Sequence, residues 1–234
     1  MKNFENCKIT LFGDSIGKGI VTDNGKLELI KESAVGLFEK GYGVKVDNRS
    51  AYGQTLKKIY QRGLIDRYIQ TLDRAQKNVA VLELGGNDAD FDWKKVGLNP
   101  QNEHDANTPI KEFARIYGEI LQKLISAKVE VVVCTIVPID SERFFNRVIG
   151  GLTDKSKVLD FFNGDFNTIH RHQEMFNNEI LKVAYGYGAK VIDLRQRFLS
   201  TNVFESIMCQ DGIHPNVDGH AQIFNAVNDF LATA

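Results

Sequence analysis

Short apolar runs alternate with longer stretches of helical period along the whole chain. The runs are Ile9–Phe12, Val44–Val46, Val79–Leu84, Val129–Ile136 and Lys190–Leu194. They are rich in Val, Ile and Leu and lack strict polar alternation, which is the pattern of strands covered on both faces. Between them the apolar spacing predicts helices over Leu27–Lys40, Leu56–Asp73, Pro109–Ala127 and Phe166–Tyr185, and a last one over Asn216–Leu231. Gly41, Gly43, Gly186 and Gly188 stand where those helices should end before the next strand. Five βα units in a row predict an α/β fold: a three-layer α/β/α sandwich around a mostly parallel five-stranded sheet with right-handed crossovers. One domain over residues 1–234 accounts for the pattern, because no repeat or low-complexity linker interrupts it. Ligands of such sheets sit beyond the carboxyl ends of the strands, so chemistry is sought just after each run.

The first such turn is Gly13-Asp14-Ser15-Ile16-Gly17-Lys18-Gly19. A Walker-type phosphate loop fails on spacing, since Lys18 stands where the second glycine belongs and no Gly-Lys-Ser/Thr follows. A dinucleotide fingerprint would use Gly17 and Gly19, with Asp47 as the ribose-binding acid, but its third glycine is Thr22. Gly13-x-Ser15-x-Gly17 matches the nucleophile-elbow pattern, although only one strand precedes Ser15, which does not suit the usual α/β-hydrolase order. Asp14 or Ser15 as a plain helix cap fits the same residues.

Three further turns change the balance. Asn48 to Thr55 contains Gly53, Leu84-Gly85-Gly86-Asn87-Asp88 follows the third run, and Asp211-Gly212-Ile213-His214-Pro215 precedes the last helix. Ser15, Gly53, Asn87 and Asp211/His214 fall in this order, one group per strand-end turn, and the set resembles the SGNH hydrolase or GDSL-type esterase-lipase family over nearly the whole chain. That resemblance implies a flavodoxin-like strand order of 2-1-3-4-5, and an oxyanion hole made of the Ser15 N–H, the Gly53 N–H and the Asn87 side-chain amide.

A serine hydroxyl needs a base in hydrogen-bond reach. His214 can take the Ser15 proton and return it to the leaving group, and Asp211, three residues earlier, can hold the other ring nitrogen. A neutral imidazole is required, so activity should fall on acidification. Gly53 should leave its own N–H unobstructed, and Gly86 should give the backbone room while Asn87 points inward. The expected reaction is carboxylic-ester hydrolysis through an acyl-enzyme on Ser15, acting on small-molecule esters of short-chain or polar type, such as O-acetyl groups of carbohydrates. Acyl-thioester or lysophospholipid hydrolysis would use the same machinery. A dinucleotide-binding oxidoreductase and a non-catalytic binding module are the readings from other classes. Asp14, Asp88, Asp90 and Trp93 are candidate substrate contacts. Phe144, Phe145, Phe161 and Phe162, in the segment 139–163, can either line an acyl pocket or anchor that segment to the core.

Composition narrows the classes further. The 234 residues carry a formal net charge of −1, which offers no electrostatic footprint for nucleic acid or an anionic membrane. Met1–Lys8 is polar and the apolar run after it is short, so no leader is expected and the cytoplasm is the expected compartment. Three cysteines, Cys7, Cys134 and Cys209, lack disulfide or zinc-knuckle spacing. His170 and His172 lie two apart on a predicted helix and face different ways, while His104 and His220 stand alone. No metal and no cofactor are expected. The oligomeric state is left open.

Overall fold

The computed structural model describes residues 4–233. Strand β1 (Cys7–Gly13) leads into a four-residue helix α1 (Ser15–Lys18), which Gly19 ends in the left-handed conformation, φ 86°. The chain then forms a hairpin, β2 (Ile20–Asp23) and β3 (Lys26–Leu29). Asn24 and Gly25 make its turn, both with positive φ, as the type I′ hairpin turn demands. Helix α2 (Ala34–Tyr42) starts at an Ser33 cap whose hydroxyl accepts the Gly36 N–H, and strand β4 (Val46–Asn48) follows. Two structures therefore replace the helix expected over Leu27–Lys40. The Asn-Gly pair turns the chain first, and helix begins only after the serine cap.

Helices α3 (Leu56–Gln61) and α4 (Leu64–Gln70) split the expected Leu56–Asp73 helix at Gly63, whose φ of 61° cannot continue it. Next come β5 (Lys77–Glu83), α5 (Gly86–Ala89), α6 (Trp93–Leu98), α7 (Ile110–Ser126) and β6 (Glu130–Cys134). The segment after β6 is mostly helical: α8 (Ser141–Arg143), a π-helical stretch Phe144–Ile149, α9 (Gly150–Leu152) and α10 (Lys155–Phe161). The chain closes with α11 (Thr168–Gly186), β7 (Lys190–Ile192), α12 (Leu194–Leu199), a 3₁₀ turn at Phe204–Ile207 and α13 (Val217–Thr233).

The five sheet strands are parallel and ordered β4-β1-β5-β6-β7. The expected labels 2-1-3-4-5 differ in detail because the unexpected hairpin takes two strand numbers; leaving it aside, the second sheet strand lies beside the first, as expected. One sheet face packs Ala80, Leu82, Val131 and Val133 against α3, α4, α7 and α11 in the main core. The other faces α2, α12 and α13. A third apolar cluster, with Phe91, Trp93, Phe144 and Phe162, lies around α6 and the segment after β6. It forms a wall beside the carboxyl edge of the sheet.

Candidate active site

Ser15, the first residue of α1, is buried. Its Oγ lies 2.9 Å from His214 Nε2, and His214 Nδ1 lies 2.6 Å from Asp211 Oδ2. The turn that carries both partners is built locally. Asp211 Oδ1 accepts the backbone N–H groups of Ile213 and His214, and the Cys209 N–H donates to the His214 carbonyl at 2.8 Å. Gly212, with φ 74°, is the hinge, since a Cβ there would lie 2.5 Å from the Asp140 carbonyl. Asn216 caps α13 through the Gly219 N–H, so capping and the Asp211–His214 pair coexist in one stretch.

Burial disfavours the Asp211 carboxylate, yet the hydrogen bonds and charge of His214, with the Thr22 hydroxyl, outweigh it and hold its pKa down to about 2. Asp211 is thus an anion fixed on one imidazole nitrogen, leaving the other to face the serine. Thr22, on the hairpin strand β2, donates to Asp211 Oδ2 at 2.5 Å, and its N–H donates to Cys209 Sγ. In the sequence Thr22 stands only where a dinucleotide motif would have its third glycine; the Asn24-Gly25 pair two residues later is the signal for a hairpin. Cys209 is buried and its thiol pKa is raised by that burial, so it serves as packing and as an acceptor, not as a nucleophile.

Asp14 caps α1 by accepting the Ile16 N–H at 2.9 Å. Its second oxygen accepts from the Asn87 side-chain amide at 2.9 Å. Asn87 therefore has one amide N–H held by Asp14 and one left over. Beneath the turn lies Glu83, the last residue of β5, whose Oε2 accepts the N–H groups of Asp14 and Gly17. A Cβ on Gly13 or Gly17 would come within 2.8–2.9 Å of that oxygen, so these glycines admit the carboxyl group. Burial raises the pKa of Glu83 well above its ordinary value and that of Asp14 to about 6, with the nearby partner acid adding to the rise for Glu83. An acid at the end of Val79–Leu84 was the available sign of Glu83.

A cavity of about 270 Å³ opens beside Ser15. Ser15, Gly53 and Asn87 all border it, as do Asp14, Asp90 and Trp93. Gly53 has φ 62°, and a Cβ there would meet no atom within 4 Å, so its backbone conformation, not crowding, calls for glycine. Gly86 is likewise not crowded. The constraint falls on Gly85, with φ 131° and a Cβ position 2.9 Å from Ile180 Cδ1. Asp88 departs from its expected role as a substrate contact: it is fully buried and accepts from the Leu56 N–H and the Thr108 hydroxyl, away from the cavity. Asp90 accepts the Trp93 indole N–H at 2.8 Å, and burial raises its pKa to about 6. Of the four phenylalanines, Phe144 lines the cavity. Phe145 stacks on Phe166, and Phe161 and Phe162 pack on Phe91, so these three anchor the segment. His172, on α11, also borders the cavity.

The dinucleotide alternative finds no support in this geometry. Helix α1 ends after four residues, the Gly17 N–H is taken by Glu83, and Asp47 pairs with Arg49 at 2.8 Å. Among the described residues, no three His, Cys, Asp or Glu side chains come together in a group able to hold a metal ion. No helix among them is long and apolar enough to cross a membrane.

A parallel α/β sheet with a serine, a histidine and an aspartate hydrogen-bonded in series at its carboxyl edge is the architecture of a hydrolase. Residues 11–222 match the model of the GDSL-like lipase/acylhydrolase family, and the chain belongs to that family; it is an esterase of the GDSL type. Among solved structures it is similar to a member of the lipolytic protein G-D-S-L family from Veillonella parvula, at 16% identity over 97% of this chain and 100% of that one, TM-score 0.67. It is similar to the lipase/acylhydrolase from Enterococcus faecalis, at 18% identity over 97% and 95% of the two chains, TM-score 0.62. A third is an acetyl xylan esterase from Geobacillus stearothermophilus, at 15% identity over 96% and 94%, TM-score 0.64. No curated protein matches the sequence.

Proposed function

We propose that the chain hydrolyses small carboxylic esters through an acyl-enzyme on Ser15. The observation that carries this reading is the unbroken hydrogen-bond series Ser15–His214–Asp211, at 2.9 and 2.6 Å, opening onto a cavity. His214 removes the Ser15 proton as Oγ attacks the carbonyl carbon, and the resulting imidazolium is stabilised by the Asp211 anion. His214 then returns the proton to the departing alkoxide. A water molecule repeats the sequence to release the acid. The developing oxyanion is met by the N–H groups of Ser15 and Gly53 and by the free amide N–H of Asn87.

Short acyl groups fit the modest volume, about 270 Å³, and Asp90 and His172 offer polar contacts to a hydroxylated leaving group. The acetyl xylan esterase among the structural neighbours is in keeping with O-acetyl substrates. A second reading, longer acyl chains on thioesters or lysophospholipids, is favoured by the apolar wall of Phe91, Trp93, Phe144 and Val148. Rates across a p-nitrophenyl series from acetate to laurate separate the two: a maximum at acetate or butyrate is expected, and one at the long end selects the second reading. Ser15→Ala should abolish all turnover while leaving the far-ultraviolet circular dichroism unchanged. Residual turnover by that variant overturns the assignment.

A further inference from the structure

The sheet face under α2 and α13 is underpacked. Along the central strand β5, Ala80 and Leu82 on the opposite face are fully buried, whereas Val79 and Val81 keep accessible surface. A middle strand covered by helices on both sides should be buried on both. The cause is a cavity of about 340 Å³ between the sheet and these helices. Lys77, Val79, Val81 and Glu83 all line it, so it runs the length of β5, about 20 Å at the ordinary rise of a strand. Its walls between those ends are aliphatic and aromatic apart from cysteines such as Cys134, and residues such as Phe38 and Phe230 line it from the helices. An enclosed apolar void of about 150 Å³ already takes up a benzene molecule, and this one is larger and elongated.

The two ends differ. Glu83 and Ile16 close the inner end behind the nucleophile turn. At the other end Lys77 and Lys190 both bind Glu130, at 2.6 and 2.9 Å, with Glu5 on the same rim. Lys77 and Lys190 each direct one contact to Glu130, and an ammonium carries three N–H donors, so each can reach a further acceptor.

We propose that this cavity binds a single-chain amphiphile of the fatty-acid type, its aliphatic chain along Val79 and Val81 and its carboxylate on Lys77 and Lys190. Ile16 and Glu83 border both this cavity and the Ser15 cavity, whereas Lys77, Val79 and Val81 border this one alone, and the proposal does not depend on the catalytic reading. Length favours one extended chain over a compact ring system, and the mainly apolar wall disfavours a polar metabolite.

The test titrates the Ser15→Ala protein with a fluorescent polyene fatty acid and displaces it with palmitate or hexadecanol. Saturable binding of one molecule per chain is expected, with palmitate the stronger competitor. Val81→Phe, which fills the cavity, should weaken binding by about tenfold or more, equivalent to about 1.4 kcal/mol. Val148→Trp, which narrows the other cavity, should leave it unchanged. Val79→Met is the milder filling variant if Val81→Phe does not fold, judged by its circular dichroism. Absence of saturable binding, retention in the filled variants or loss in Val148→Trp each overturns the site. Equal displacement by hexadecanol overturns the head-group assignment.

Discussion

At the scale of single residues, the Asp14 carboxyl does two jobs at once. One oxygen caps α1 and the other holds the Asn87 amide, so the residue beside the nucleophile also orients the proposed oxyanion donor. Asp14→Asn keeps the capping acceptor but turns an amide toward another amide. One of the two must rotate away, and Asn87 loses its fixed direction. Removing an oxyanion donor outright typically costs about 10²–10³ in kcat, and Asn87→Ala is expected in that range. Asp14→Asn should give a smaller loss, roughly tenfold or more, in kcat with KM nearly constant. A KM effect alone would place Asp14 on the substrate instead. The sequence carries Asp14, Ser15 and Asn87 in full view, but not this bond: the two side chains are 73 positions apart and meet only because β1 and β5 are neighbours.

At the scale of elements, the β2–β3 hairpin belongs to the site although it lies outside the main sheet. It brings the Thr22 hydroxyl onto the same Asp211 oxygen that faces His214. Thr22→Val retains the shape of the side chain and removes that donor. The Asp211 carboxyl then loses one of the interactions holding its pKa near 2, and the Asp211–His214 pair is less firmly oriented. A fall in kcat of several-fold is expected, equivalent to about 1 kcal/mol and below the roughly 1.5–3 kcal/mol that a hydrogen bond to a charged group contributes. Steady-state kinetics of T22V beside T22S checks this, because serine restores the hydroxyl and should restore the rate. The hairpin shows what local patterning misses. Leu27 and Leu29 suggested a helix face, yet Asn24-Gly25 fixes a two-residue turn and leaves both leucines exposed. The Leu56–Asp73 pattern fails for a related reason, since helical periodicity continues through Gly63 while the backbone there does not. Long, strongly periodic segments such as Ile110–Ser126 and Thr168–Gly186 were readable to within a few residues.

At the scale of the whole molecule, three buried ionisable groups make stability depend on pH in opposite directions. His220 is fully buried, and desolvation lowers its pKa from 6.5 to about 4. The unfolded chain therefore binds its proton first, and stability present above pH 6.5 is lost as pH falls toward 4, by an amount on the order of 3 kcal/mol. Asp14 has the opposite sign. Its folded pKa is raised to about 6, so the native state takes up the proton first and the penalty of its buried charge is relieved over the same interval. Glu83, also raised, acts in the same sense as Asp14. Urea denaturation of His220→Gln at pH 7 and pH 4.5 should show a smaller acid-induced loss than the parent chain. Parallel profiles would exclude His220 as a source of that loss.

The order of apolar runs and helical stretches by itself determined a parallel α/β sheet, because strands covered on both faces and amphipathic helices leave different periods in the chain. It also brought the chemistry to the strand ends, since Ser15, Gly53, Asn87 and Asp211/His214 each follow an apolar run or precede the last helix. What only the tertiary structure decided is what those groups touch. Glu83 lies under the nucleophile turn because β1 and β5 pair in register and two glycines admit it. Thr22 reaches Asp211 across 189 positions. Asp88, which reads as part of the same turn as Asn87, faces away toward the α3 backbone. Residue type and spacing are local properties, whereas direction and partner depend on which distant segments the sheet sets side by side.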